Sequence, residues 1–267
     1  LLLMNAAALP ELGALHAKSA ALYAANGQEL YVSNADEKLQ PASVTKIMTM
    51  LLAMEALERG EVTLDTMITG SEHACSMGGT QIWLEPGEQL TLDEMLKAIA
   101  VGSANDCAVA VAEHLAGTEA AFVERMNARA AQLGMENSHF CNPSGLDEDG
   151  HFSTARDLAL LTRAALRNAA FREAVGTKCI TLGSRVLENH NRLLWRYPGA
   201  NGVKTGYTRA AGRVLVSSAS RGGRTLIAVT ICDPNDWDDH IALLDYGFSA
   251  FEWRSFLRAG ETAGTAS

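Results

Sequence analysis

The pattern of apolar and polar positions divides the chain into three stretches. In residues 19–33, Ala20-Ala21-Leu22-Tyr23 and Glu29-Leu30-Tyr31-Val32 flank Asn26-Gly27. That dipeptide is the strongest short signal for a tight hairpin, so two strands are predicted here. Residues 34–40 form a polar connection. From there to about residue 59, Ile47, Met48, Met50, Leu51, Met54 and Leu57 recur at helical spacing. Pro41 suits a first helical turn, which tolerates a missing N–H, and Gly60 supplies the stop.

Residues 61–90 have no regular period and are punctuated by Gly70, Gly78, Gly79, Pro86 and Gly87, with Trp83 as a lone large aromatic. A loop of this length is as well read as the wall of a site as a surface insertion. Helical spacing returns with Thr91-Leu92-Asp93-Glu94, a capping box, followed by Met95, Leu96 and Ile99. After a break at Gly102-Ser103, a second helix is predicted over 104–116, closed by Gly117. Thr118 caps a third over 119–133, closed by Gly134, with Phe122, Val123, Met126 and Leu133 on its apolar face. Residues 135–152 read as loop, and Ser153 or Thr154 opens a fourth helix through Leu158, Leu161 and Leu166.

After residue 175 the period shortens. Short strands are predicted at 179–182 and 185–187 around Gly183, and the stretch around Lys204 reads as another. Longer strands at 213–220 and 225–232 are joined through Gly222-Gly223. A last helix spans about 238–251. A hairpin, a helical insert, a β-meander and a terminal helix together predict an α/β fold. Its mostly antiparallel sheet is flanked by helices, with a mainly helical lobe at about 61–170 and a cleft between the lobes.

Composition narrows the function classes. The chain has 267 residues and a net charge of -9, from 22 basic and 31 acidic residues. That balance argues against a general nucleic-acid binder, although a local basic pocket can still face an anion. Cys75, Cys107, Cys141, Cys179 and Cys232 form no C-x-x-C pair and no zinc-ligand spacing with histidine. They are read as small buried hydrophobes. Asp147-Glu148-Asp149-Gly150 lacks the remaining ligands of a calcium loop and reads as a solvated turn. His73, His114, His139 and His151 are read as structural or exposed, and neither a metal nor a cofactor is expected. No segment reaches the roughly 20 apolar residues of a membrane helix. Residues 1–18 read as a leader remnant or arm, and 258–267 as a small polar tail.

The candidate chemistry begins at Ser43-Val44-Thr45-Lys46. Three residues apart on a helix, Ser43 and Lys46 share a face, and an amine beside a hydroxyl can take its proton. One S-x-x-K alone is no more than a capping serine followed by a solvated lysine, since about one is expected by chance in a chain of this size. Two further stretches change that: Ser103-Ala104-Asn105 at an interhelix turn and Lys204-Thr205-Gly206 on a strand. Each has a bland reading singly. Together, in this order and these contexts, they resemble the S-x-x-K, S-D-N and K-T-G set of class A β-lactamases and penicillin-binding proteins.

More of the chain is similar to one branch, the low-molecular-mass D-alanyl-D-alanine carboxypeptidases. The similarity extends to Asp106, Met126-Asn127, Leu133-Gly134-Met135, Asn142-Pro143-Ser144-Gly145-Leu146, Ser153-Thr154-Ala155-Arg156-Asp157 and Gly202 to Thr208, and covers roughly residues 19–250. The resemblance implies a penicillin-binding protein/β-lactamase-like fold, with a catalytic domain at 19–257. It implies Ser43 as the nucleophile that forms an acyl-enzyme, with Lys46 as base, its pKa pushed down by burial and by Lys204. Ser103 would pass a proton between lysine and leaving amine, and Asn105 would hold both Lys46 and a substrate amide. Lys204 and Thr205 would bind the substrate's terminal carboxylate. Gly206 would leave the strand bare for an added peptide strand, and the N–H groups of Ser43 and Tyr207 would form the oxyanion hole.

The implied partners are a peptidoglycan stem peptide ending in D-Ala-D-Ala and β-lactam antibiotics, outside the cytoplasm. No nucleic acid, no metal and no membrane anchor within this chain are expected. His190 stands where some relatives carry an arginine, which bears on the electrostatics of the Lys204 side. Two alternatives share the acylation apparatus: a β-lactamase and a non-turnover penicillin sensor. The first commonly needs a Glu in an E-x-x-L-N stretch, and none lies between 105 and 204.

Overall fold

The structure, a computed structural model, describes residues 2–4 and 12–253. The tail expected at 258–267 lies outside the described residues. The elements run in chain order as β1 (Leu2–Met4), β2 (Ser19–Ala24), β3 (Glu29–Ser33), a 3-10 turn (Ala42–Thr45), α1 (Lys46–Glu58), β4 (Met67–Thr69), α2 (Glu72–Cys75) and β5 (Gln89–Thr91). There follow α3 (Leu92–Val101), α4 (Asn105–Ala116), α5 (Glu119–Leu133), α6 (Ala155–Ala165) and α7 (Ala169–Gly176). The chain continues with β6 (Cys179–Leu182), β7 (Arg185–Glu188), α8 (Leu193–Arg196), β8 (Ala200–Thr208), β9 (Gly212–Arg221), β10 (Arg224–Ile231), α9 (Asp236–Ala250) and β11 (Phe251–Trp253).

The main sheet has the order β3-β2-β10-β9-β8, and every pairing in it is antiparallel. The N-terminal hairpin and the C-terminal meander therefore close into one sheet, as expected. Its inner strands are covered on both faces. Along β9, Val214 and Val216 face the 3-10 turn, α6 and the helical lobe, while Leu215 and Ala219 face α9. On β10, Ile227 and Val229 alternate with Leu226 and Ala228 in the same way. Alternation of side chains across a strand turns a continuous apolar run into two core layers.

The helix boundaries follow their capping residues. Thr91 and Glu94 make the full capping box of α3. Thr118 caps α5, and Gly134 ends it in the left-handed conformation that glycine adopts without steric cost. Thr154 caps α6. Helix α1 is buried on nearly every side, including Lys46 and Thr49. That burial makes it the central helix rather than an amphipathic surface one. The serine expected at its first turn lies instead in the 3-10 turn that precedes it. Helix α7, which the periodicity did not predict, is capped by Asn168. Within 61–90, β4 and β5 pair, so the stretch is part of the helical lobe's frame. Of the five cysteines, Cys107 alone is buried, so the expectation for the others is corrected; Cys179 is exposed. No helix among the described residues is long and apolar enough to cross a membrane.

Two buried histidines make this fold sensitive to acid. His151 joins Thr45 Oγ1 at 2.8 Å and accepts from the Cys141 N–H. His240 lies between Ser217 and Thr230. Burial pushes their imidazoles down to about 4 and about 3. The unfolded chain takes up these protons near pH 6.5 and the folded chain does not, so stability is present above 6.5 and falls as pH drops towards 4. The buried carboxyl of Asp233, pushed up to about 6, opposes this in part. Asp157 and Asp236, raised by burial as well, oppose it further, so at about 1.4 kcal/mol per pH unit per group a net loss of at most about 3 kcal/mol is expected between pH 6.5 and 4.5. Urea midpoints at the two pH values check it, and an unchanged midpoint would remove both histidines from the account.

Candidate active site

The 3-10 turn, the start of α4, the 142–146 loop and the edge strand β8 meet at Lys46. Its Nζ lies 2.9 Å from Ser43 Oγ, 2.6 Å from Asn105 Oδ1 and 2.5 Å from the Ser144 carbonyl oxygen. The side chain is wholly buried. Burial holds its amine well below the ordinary lysine range, Lys204 pushes it further down, and Asp106 pulls weakly the other way. The amide oxygen and the carbonyl can only accept, so an unprotonated amine gives its two N–H groups to them. Its lone pair is then left for the Ser43 hydroxyl. Such a contact suits proton abstraction from a nucleophile.

Lys204 is also buried, and desolvation lowers its pKa to about 7. Its Nζ donates to Ser103 Oγ at 2.9 Å and to the Thr205 carbonyl at 2.9 Å. The hydroxyl of Ser103 is thus tied to Lys204, while Lys46 is tied to Asn105. Asn105 also donates from Nδ2 to the Gly78 carbonyl at 2.7 Å, and its backbone N–H donates to Thr80. The 78–80 segment therefore closes over the amide that was expected to meet substrate.

Strand β8 reaches Ser43 through Gly206. A Cβ there would sit 3.0 Å from the Ser43 nitrogen and 3.1 Å from Ala42 Cβ. The missing side chain lets the strand press against the 3-10 turn, rather than baring its free edge as expected from the sequence. That edge carries no further strand among the described residues, because β8 ends the sheet and pairs with β9. Gly145 plays the same part from the opposite side: its φ is +83°, and a Cβ would overlap the Ala42 carbonyl.

An open cleft of about 1230 Å³ runs along this edge, lined by Ser43, Ser103, Thr205, Gly206 and Tyr207 among others. All eight residues singled out in the sequence thus gather here: Ser43, Lys46, Ser103 and Asn105 on one side, Lys204, Thr205, Gly206 and Tyr207 on the other. His190 is on the cleft wall, its pKa lowered by desolvation and by Lys204, so it is neutral at pH 7. Ala42, Ser103 and Trp83 have φ of +49°, +58° and +62°. Left-handed backbone at residues other than glycine is strained by about 1 kcal/mol or more each, and it concentrates at functional sites.

Three participants carried no role in the sequence reading. The Ser144 carbonyl is a backbone atom, and only its Asn142-Pro143-Ser144-Gly145-Leu146 context pointed to it. Asp106 is buried and accepts from the N–H groups of Ile82, Leu84 and Cys107. His151 ties the 141–151 loop to Thr45, next to Lys46.

The D-alanyl-D-alanine carboxypeptidase family profile matches residues 4–235. D-alanyl-D-alanine carboxypeptidase DacF of Bacillus subtilis is 44% identical over 255 residues, which is 92% of this chain. The chain spans 66% of that relative's length, and 60 to 66% of the length of most curated relatives it matches. Penicillin-binding protein 6B from Escherichia coli superposes with a TM-score of 0.90 at 31% identity, covering 97% of this chain and 86% of its own. Penicillin-binding protein D2 from Listeria monocytogenes, in an ampicillin-bound form, gives a TM-score of 0.81 at 31% identity, covering 90% of this chain and 100% of its own. The fold is thus the penicillin-binding protein fold that the motifs implied.

Proposed function

The chain belongs to the D-alanyl-D-alanine carboxypeptidase family, and from that premise we propose that it removes the terminal D-alanine of peptidoglycan stem peptides through an acyl-enzyme on Ser43. The observation that carries this reading is the Lys46 amine, buried, without a carboxylate partner among the described residues, and 2.9 Å from the Ser43 hydroxyl. We assign the catalytic unit to residues 19–257, with the helical lobe at about 61–170.

Ser43 attacks the carbonyl between the last two D-alanines as Lys46 takes its proton. The N–H groups of Ser43 and Tyr207 stabilise the oxyanion, each worth about 3 kcal/mol of barrier. Lys204 and Thr205 hold the terminal carboxylate. Ser103, tied to Lys204, lies on the path by which the leaving amine gains a proton. Water then releases the shortened peptide. A β-lactam enters the same route, since its strained amide presents an equivalent carbonyl. Because peptidoglycan lies outside the cytoplasm, so does the site of action.

The test is release of D-alanine from a peptide ending in D-Ala-D-Ala, set beside nitrocefin turnover. A carboxypeptidase releases D-alanine over many turnovers and hydrolyses nitrocefin slowly. Rapid nitrocefin turnover without D-alanine release would make the protein a β-lactamase, and acylation without either would make it a sensor.

A further inference from the structure

Among the described residues, the exposed large hydrophobics are Met67, Trp83, Val186, Trp195 and Tyr207. Val186 and Tyr207 line the cleft, as does Gln81, two residues before Trp83, and the Trp83 carbonyl is bonded to Arg185, which precedes Val186. Trp83 is 73% exposed, while its neighbours Ile82 and Leu84 are buried. Their N–H groups donate to the carboxylate of Asp106, at 3.1 Å and 3.0 Å. The Trp83 carbonyl accepts from Arg185 Nη2 at 3.0 Å, and Arg185 is itself paired with Glu88. Three anchors thus fix this residue in left-handed backbone with its indole directed outward. Asp106 follows Asn105, so one helix start fixes both the catalytic lysine's partner and this aromatic.

We propose that Trp83 is a saccharide platform, stacking its indole on a pyranose ring of the glycan strand that carries the stem peptide. The inference rests on the reading given under Proposed function, since it takes its ligand from that substrate. The chemistry favours a sugar. A pyranose has a C–H face that packs on an aromatic ring and an edge of hydroxyls that needs polar neighbours. Trp83 has such neighbours in Gln81, Glu85 and the Arg185–Glu88 pair. A protein partner would need a continuous apolar patch, and here the residues on either side are buried. Extended peptide spans about 3.3–3.6 Å per residue, so a stem of three or four residues puts its sugar some 10–14 Å from the scissile bond, and the ring is to be met by residues around the cleft rather than by those at Ser43.

The experiment compares one pentapeptide in two forms, free and linked to the N-acetylglucosamine–N-acetylmuramic acid disaccharide. For the wild type, kcat/KM for D-alanine release is expected to be about fivefold higher on the linked form, through KM. Trp83→Ala should abolish that preference and leave the free-peptide rate as the control, while Trp83→Phe should retain part of it. A preference that survives Trp83→Ala, or an equal fall on both substrates, overturns the proposal. Calorimetry on Ser43→Ala and Ser43→Ala/Trp83→Ala with the linked peptide reads binding without turnover. If the wild type released no D-alanine, the carboxypeptidase reading would fail. The two Kd values would still decide this one, and equal values would overturn it.

Discussion

Ser43→Ala is expected to abolish covalent labelling by a penicillin and to lower D-alanine release about 10⁵- to 10⁶-fold. Losing the nucleophile of a serine enzyme removes the acyl-enzyme route altogether, and what remains is binding and oxyanion stabilisation of a direct attack by water. Only the hydroxyl is deleted, and its one hydrogen bond among the described residues is to the Lys46 amine. The turn is held by the Val44 N–H to the Pro41 carbonyl and by the approach of Gly206, neither of which uses the side chain. Fold should therefore be retained while chemistry is lost. Mass spectrometry of a proteolytic digest after labelling checks the assignment: the adduct should sit on the peptide containing Ser43. An adduct elsewhere in intact wild-type protein would overturn the choice of nucleophile.

Lys46→Met should lower the acylation rate by about 10³- to 10⁴-fold, the range for a lost general base that also positions the nucleophile. Methionine keeps the length and apolar character of the stem and removes the amine. Two opposing effects on stability follow. The Asn105 and Ser144 oxygens lose their donor, which costs about 1–3 kcal/mol each. Against this, the chain no longer buries an amine that desolvation holds well below its ordinary range, which costs the fold stability at neutral pH. The two effects oppose each other, so the melting temperature should move less than either alone would move it, while acylation falls by about three orders of magnitude or more. Stopped-flow acylation beside calorimetry reads both. A rate within tenfold of wild type would assign the base elsewhere, with Lys204 the next candidate.

The legible part of this protein was local. Thr91, Thr118 and Thr154 announced helix starts, and Gly117 and Gly134 announced ends, because capping depends on residues within one turn. The three candidate stretches at Ser43, Ser103 and Lys204 were legible because the chemistry proposed for them rests on side chains in fixed order. What escaped the sequence depends on backbone brought from afar. The Ser144 carbonyl takes the Lys46 amine across 98 positions, and no side-chain identity encodes a carbonyl. Gly206 was read as sparing space for substrate, whereas the nearest atoms belong to the Ser43 turn. Asp106 looked like part of a motif, yet its work is to hold Ile82 and Leu84 in place. For helix α1 the apolar spacing gave the helix but not the neighbours that bury Lys46 and Thr49 on its remaining sides.

The pairing of β2 with β10 carries a consequence for how the molecule is made. Leu226 lies opposite Ala24, so the sheet closes a loop of roughly two hundred residues before its central contacts form, which places it among slowly folding topologies. The helical lobe is contiguous in sequence and can collapse early. The platform under Ser43 cannot, since it waits for the last strands to emerge. Until then the unpaired hairpin and the nascent meander are exposed to aggregation, and the proposed nucleophile takes its place only once the whole sheet has been threaded together.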